Sequence, residues 1–182
     1  MQIYQALKRD HQEVRELLAQ LIQMNEDTAA EERRDLVEEI RDALIPHSRA
    51  EESVFYNSLR EIAAAQDVVG HAYQEHMEAE TLLRALQVQD KIDAGWLKTA
   101  RKLKEALEHH IAEEEGRTFT VAQHVFTPEE ADMMGEAFEN LKPEIKEEGL
   151  MATTTELIAN MMPPRLAKVF RKYNLESRLG AR

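Results

Sequence analysis

Apolar residues recur at intervals of three, four and seven positions along most of the chain, the spacing typical of helices that bury one face. This pattern predicts four long helices, over about residues 2–24, 29–60, 68–87 and 95–123. Short polar segments join them, so consecutive helices should pack antiparallel. The sequence therefore predicts an all-α fold, an up-down-up-down four-helix bundle.

A fifth, shorter helix is predicted at "FTPEEADMMGEAF". Thr127 can cap this helix, Pro128 suits its first position, and Glu130 follows three residues after the cap. We therefore expect two parts, a bundle that includes the short fifth helix, residues 1–142, and a C-terminal helical extension with a basic tail, residues 143–182.

Histidines interrupt the apolar faces at positions where leucine or valine would be expected. One falls on each bundle helix: His11, His47, His76 and His110. On the second and fourth helices a glutamate follows one turn later on the same face, Glu51 and Glu114 respectively. The order H, HxxxE, H, HxxxE is two copies of one helix hairpin, which predicts a site with approximate two-fold symmetry.

Burying these side chains together requires a cationic partner, because an isolated buried carboxylate either pairs or takes up a proton. The inward positions nearby contain no Arg or Lys. Two metal ions would satisfy the group, since carboxylates can bridge them, and mixed N and O ligation suits iron or manganese. One inward histidine is more often an ordinary core residue. Six such positions on four helices favour a metal site over a purely structural bundle.

The other histidines lie off this face. His109 is expected at the surface or behind the ligands, and His124 is expected to be structural or exposed. His71 is a candidate fifth ligand if the turn that carries it is distorted.

Asp10 and Glu75 precede two of the inward histidines. Each could hold a histidine from behind, or could equally be solvated. Glu52, next to Glu51, is expected either to face out or to lie behind the ligands.

Composition excludes several function classes. A net charge of −12 argues against nucleic-acid binding. Without cysteine the chain has neither disulfides nor thiolate ligands, so any metal needs N and O ligands. We expect no transmembrane segment, because no apolar stretch approaches about 18 residues. The beginning of the sequence does not resemble a signal peptide, and a cytoplasmic location is expected.

The basic tail stands apart from the acidic bundle. Residues 163–182 contain six Arg or Lys against one Glu, together with an apolar set at helical spacing. Two interpretations remain open. The tail packs on the acidic bundle of its own or a neighbouring chain, or it contacts a protein partner.

The H…HxxxE…H…HxxxE arrangement, over about residues 3–142, resembles the hemerythrin-like, or HHE cation-binding, family. The resemblance implies a four-helix bundle that holds two iron ions in an oxo- or hydroxo-bridged, non-haem di-iron centre. By this resemblance, one iron would be held by His11 and His47. The other iron would be held by His76 and His110. Glu51 and Glu114 would bridge the two irons.

Two departures from the oxygen-carrying hemerythrins bear on function. Those proteins have a His-x3-His pair on the third helix, where this chain has Ala72 at the first position and His71 displaced by one. Their fourth helix has His-x4-Asp, and here the pair is His-x3-Glu. One iron should therefore be a ligand short and more open to water, peroxide or another side chain.

The resemblance thus favours a protein that binds or reacts with a small oxidant (O2, H2O2 or NO), in oxygen or redox sensing or in stress protection. The alternatives are an iron- or oxygen-responsive regulatory module acting through the tail, and iron storage or donation. Whether the protein is an enzyme, with peroxide-decomposing or NO-linked activity, is left open by the residues.

Overall fold

The structure, a computed structural model, describes residues 1–60 and 62–148. This part of the chain is helical and contains no strand. The α-helical segments are α1 (Ile3–Leu21), α2 (Ala30–Glu51), α3 (Asn57–Leu59), α4 (Gln66–Val88), α5 (Ala94–Glu113), α6 (Phe119–Val125) and α7 (Pro128–Glu148).

Two of the long helices contain a π-helical turn. Helices α2 and α3 form one helical run joined by the π turn Glu52–Tyr56, and α5 and α6 form another joined by the π turn Glu114–Thr118. With α1 and α4 these runs agree with the four predicted helices to within a few residues at each end. The sequence pattern did not predict the π turns.

The four helical runs pack as a bundle. Helix α1 contacts α2 and α5, and α4 also contacts α2 and α5, so each run has two neighbours around a common axis. The connections that follow α1 and α4 are short, which makes each hairpin antiparallel. The predicted all-α four-helix bundle is confirmed.

The apolar core is divided into two clusters along the bundle axis. One contains Leu7, Phe55 and Phe119, and the other contains Leu18 and Trp96. The predicted ligand positions fall where each helix passes from one cluster to the other. A layer of polar side chains therefore crosses the bundle between two apolar regions.

Helix α7 lies across α1 and α2 and begins as predicted. The Thr127 amide donates to Glu130 Oε2 (2.9 Å), and the Glu130 amide donates to Thr127 Oγ1 (3.2 Å), which is a capping box. The expectation of a short fifth helix is wrong, since α7 has 21 residues. Pro143 lies inside α7, where it removes one backbone hydrogen bond and crowds the carbonyl of Glu139. Burial of Leu141 and Ile145 on either side offsets this cost.

The start of the chain meets α7 closely. A side chain at Gly135 of α7 would collide with the backbone of residues 1–3, so only glycine permits this approach. None of the helices in the described ranges combines the length and apolar character that crossing a bilayer requires. Residues 149–182, which include the basic tail at 163–182, lie outside the described residues, so the interpretations of the tail stay predictions. The division of the chain at residue 142 also stays a prediction.

Candidate metal centre

The six predicted ligands all lie in the buried layer between the two apolar clusters. Their exposed fractions are small: His11 2%, His47 3%, Glu51 0%, His76 3%, His110 4% and Glu114 2%. No bulk water is available to solvate two carboxylates at this depth, so their charge must be met by protein groups, protons or cations.

Two groups of three potential ligands share one carboxylate. The ligand atoms of His11, His47 and Glu51 lie within 4.8 Å of one another, and so do those of Glu51, His76 and His110. Glu51 Oε2 is 3.7 Å from His47 Nε2 and 3.3 Å from His76 Nε2. Glu51 therefore lies between the two histidine pairs and belongs to both groups.

Glu114 completes the layer from the opposite side. Its Oε2 is 3.1 Å from His11 Nε2, and its Oε1 accepts a hydrogen bond from the Tyr56 hydroxyl at 2.9 Å. The Nε2 atoms of His76 and His110 are 3.1 Å apart. Atoms bonded to one metal ion at about 2.1 Å lie about 3.0–3.4 Å apart, depending on the geometry, so these spacings are close to those of a ligand set.

The other ring nitrogen of each inward histidine faces a carboxylate. The Nδ1 contacts are His11 to Glu115 (3.0 Å), His47 to Asp10 (3.3 Å), His76 to Glu52 (2.9 Å) and His110 to Glu75 (3.0 Å). When Nδ1–H donates to the carboxylate, Nε2 is left with a free lone pair. That tautomer is the one a metal ligand needs, and the carboxylate also orients the ring.

These contacts obey the two-fold repeat of the sequence. Asp10 and Glu75, which precede the first histidine of each hairpin, hold the second histidine of the same hairpin. Glu52 and Glu115, which follow the inward glutamates, hold the first histidine of the other hairpin. Sequence reasoning left three of these acids undecided and missed Glu115. Its match to Glu52 in the repeat was the available signal.

The π turns begin at the inward glutamates. Glu51 is the last residue of α2 before its π turn, and Glu114 is the first residue of the other π turn. A π turn accommodates one extra residue and is common at functional sites. The residue after an inward one lies about 100° around the helix, on the side that faces the neighbouring helix. This direction lets Glu52 and Glu115 reach histidines on other helices.

The two-fold repeat is broken at one hydrogen bond. Tyr56 corresponds to Phe119 in the repeat, and only Tyr56 has a hydroxyl to donate. Glu114 therefore has a donor, whereas both oxygens of Glu51 lack a hydrogen-bond partner within the described ranges. Nε2 of His11 and Oε2 of Glu114 are also without a hydrogen bond there. Unpartnered buried acceptors are what a bound cation would satisfy.

The pKa values of the two glutamates shift in opposite directions. Burial and the nearby charge of Glu114 raise the pKa of Glu51 well above its ordinary value. Burial opposes ionisation of Glu114 too, but the Glu51 carboxyl and His11 outweigh it, and the pKa of Glu114 is lowered. In the metal-free protein, ionisation of one of these glutamates therefore opposes ionisation of the other. A cation would allow both carboxylates to be ionised.

Helix α7 adds a cation that the bundle sequence did not reveal. Lys142 Nζ lies 2.6 Å from Asp10 Oδ2, and Arg9 donates to the other oxygen of Asp10 at 2.7 Å. Burial raises the pKa of Asp10, but His47 and Lys142 outweigh it and the pKa is lowered. Burial lowers the pKa of His47 to about 4, so its ring is neutral at neutral pH, as ligation requires.

The remaining histidines lie outside the buried layer. His71, the candidate fifth ligand, is half exposed, and its Nε2 is 3.5 Å from Glu75 and from Glu113. His109 is also exposed, and His124 Nδ1 lies 2.7 Å from its own helix at the Thr120 carbonyl. The structure therefore does not bring His71 to the other predicted ligands.

A small cavity lies beside the position that Ala72 occupies. Its volume is about 10 Å³, about what one water molecule needs. Its walls include the buried Tyr56, His110 and Glu114 and the exposed Glu113. The cavity thus extends from the buried layer toward the surface.

A four-helix bundle with histidine and glutamate ligand groups in its centre defines a class of metal-binding helical proteins. The family model "Hemerythrin HHE cation binding domain" matches residues 2–122, well over half of the chain, and the chain belongs to this family. The predicted resemblance is confirmed. Searches of curated proteins and of solved structures found no match.

The difference between the two glutamates predicts opposite effects on the metal-free protein. Glu51→Leu removes a buried carboxyl that has no donor and should raise the free energy of unfolding by about 1–3 kcal/mol. Glu114→Leu leaves the buried Tyr56 hydroxyl without its acceptor and should lower it by a similar amount, about 1–3 kcal/mol. Denaturant unfolding of chelator-treated protein, followed by circular dichroism, measures both. Equal destabilisation by the two substitutions would contradict the described difference.

Proposed function

We propose that this protein is a non-haem di-iron protein that binds or reacts with a small oxidant, O2, H2O2 or NO, in sensing or in stress protection. The observation that carries the proposal is that Glu51 belongs to both buried ligand groups. A carboxylate shared by two pairs of imidazoles suits two metal ions better than one. The family, a cation-binding one, agrees with this arrangement.

The proposed ligands divide between two ions. His11 and His47 would hold one, His76 and His110 the other, and Glu51 would bridge them. Glu114 lies on the opposite side of the layer and would supply the second bridge. Iron is supported by the donor set, which is mixed imidazole nitrogen and carboxylate oxygen with no thiolate.

When bound, two iron ions would supply reversible redox chemistry and open coordination positions for a small ligand. The protein's own part begins with orientation. The four carboxylates behind the histidines hold the rings in place and make Nε2 a better electron donor. The apolar clusters on either side keep the layer dry, which strengthens each electrostatic contact within it.

Tyr56 is positioned to hold a proton beside the proposed centre. Burial raises the pKa of Tyr56 well above its ordinary value, and the nearby charges of Glu114 and Glu51 raise it further. The phenol therefore stays protonated at physiological pH and donates to Glu114 Oε1. It also lines the cavity beside Ala72, so a ligand there would lie next to the hydroxyl that holds this proton.

The size of the cavity supports a small ligand. At about 10 Å³ it is close to the minimum for one water molecule, so it has no room for a bulky organic substrate. A fifth histidine on the third helix would fill part of this space, and Ala72 leaves it open. This supports reaction or sensing over stable oxygen carriage.

Iron content tests the proposed ligands. Wild-type protein should retain about two irons per chain after purification or anaerobic iron loading, measured by elemental analysis. Glu51→Ala should lose most of this iron, because both ions share that carboxylate. His124→Ala is the matched control, since His124 is exposed and outside the buried layer, and it should retain the wild-type amount. Similar iron loss in the two variants would mean that the wrong residues have been assigned.

Optical spectra test the proposed reaction. Iron-loaded protein is reduced without oxygen, and spectra are recorded after separate additions of O2, H2O2 and NO. At least one addition should change the spectrum within the time of mixing, because the proposed centre has an open side. An iron-loaded protein whose spectrum responds to none of the three would refute this function.

A further inference from the structure

A second group of potential ligands lies on the outer face of α4 and α5. It consists of two His-x3-Glu pairs, His71 and Glu75 on α4 and His109 and Glu113 on α5. One ligand atom from each of the four side chains lies within 4.8 Å of all the others. In each pair the two residues are one helical turn apart, so both side chains project from the same face.

The distances between these atoms are close to those around a tetrahedral ion. His71 Nε2 is 3.5 Å from Glu75 Oε1 and 3.5 Å from Glu113 Oε2. His109 Nε2 is 3.8 Å from Glu75 Oε1 and 3.8 Å from Glu113 Oε1. Bonds of about 2.0–2.1 Å around a tetrahedral ion place neighbouring ligand atoms about 3.3–3.4 Å apart. Small rotations of exposed side chains would close the remaining difference.

The two carboxylates of this group have no Lys or Arg partner among the described residues. On the same two helices other glutamates are paired, Glu80 with Arg49 and Glu108 with Lys104. Glu75 Oε1 is buried and accepts no hydrogen bond there, although Glu75 Oε2 accepts one from His110. A buried carboxylate oxygen without a donor is a position where a cation would be stabilised.

Comparison of the two hairpins indicates that Glu75 lacks a cationic partner. Its counterpart in the other hairpin is Asp10, which also holds an inward histidine from behind. Asp10 is neutralised by Lys142 of α7 and by Arg9. In the described chain no helix covers α4 and α5 in the way that α7 covers α1 and α2. Glu75 instead faces His71 and His109.

We propose that these two His-x3-Glu pairs form a second metal site, a surface site for a first-row divalent cation such as Zn2+. Two imidazole nitrogens and two carboxylate oxygens are a donor set that suits Zn2+ and related ions, which commonly bind four ligands. All four ligands stand on two packed helices, which preorganises them. The cation neutralises the carboxylate of Glu75, as Lys142 neutralises that of Asp10.

The surface site adjoins the buried layer through one side chain. Glu75 contributes Oε1 to the surface site and Oε2 to His110 Nδ1, so a single carboxylate belongs to both. The small cavity beside Ala72 is lined by Glu75 and Glu113 on one side and by His110 on another. The surface cation is therefore held at the outer side of this cavity, apart from the buried ligands.

Zinc stoichiometry tests the surface site. Protein with its native metal content is dialysed against Zn2+, and zinc and iron are both counted by elemental analysis. Wild-type protein should bind one more zinc per chain than the double variant His71→Ala/His109→Ala, with the same iron in each. His124→Ala, an exposed histidine elsewhere, is the control and should match wild type. Equal zinc in all three proteins would overturn the proposal.

Iron counts keep this inference separate from the proposed function. If the double variant loses iron together with zinc, the two histidines serve the buried layer and the surface site is refuted. The difference in zinc content between wild type and the double variant has the same meaning whether or not the buried layer holds iron. A protein without iron would refute the di-iron proposal alone.

A second variant guards against a folding defect. Glu113→Gln keeps the size of an exposed side chain and removes one charged ligand. It should weaken zinc binding by at least about tenfold while iron content and the circular dichroism spectrum stay unchanged. Unchanged zinc affinity in this variant would also overturn the surface site.

Discussion

The burial of two carboxylates among four imidazoles constrains the rest of this structure. Burying a carboxylate without a partner is costly, so the bundle must supply donors, take up a proton or bind a cation. Each histidine is already held from behind by its own carboxylate, which leaves the Nε2 atoms and Glu51 facing one another in a dry layer. The apolar clusters on either side keep solvent away from this layer. Bound cations would supply the positive charge that the buried carboxylates lack.

The bundle repeats one hairpin, and its two halves differ in their surroundings. In one half, α7 covers the helices and contributes Lys142 to Asp10. In the other, Glu75 faces two exposed histidines beside the cavity next to Ala72. The hydroxyl of Tyr56 likewise lies on one side only. Differences of this kind would give the two proposed ion positions different access from the surface.

The helical period explains how much of the fold and the site can be predicted from sequence. Each residue's place on an apolar face follows from its spacing, so spacing alone identifies the inward histidines and glutamates. The carboxylates that contact these histidines from behind cannot be predicted in this way. Their positions depend on contacts between helices, which the apolar spacing within one helix does not determine. Asp10, Glu52 and Glu75 stand out beside the ligands in the sequence, but their partners cannot be assigned from it.

Other features have no distinct sequence signal. A π turn changes the hydrogen bonding of a few residues and scarcely alters the apolar spacing, so the turns after Glu51 and at Glu114 were not predicted. Pro143 suggests the end of a helix, yet burial on both sides of it keeps α7 continuous. Lys142 lies on that helix, outside the repeat, and its contact with Asp10 depends on how α7 docks.

The central claim is that one carboxylate, Glu51, joins two ion positions. X-ray absorption at the iron edge of iron-loaded protein tests it most directly, since it counts ligand types and detects a neighbouring iron. The account predicts about two imidazole nitrogens per iron and a second iron within about 4 Å. Iron that has imidazole ligands but no neighbouring iron would contradict it.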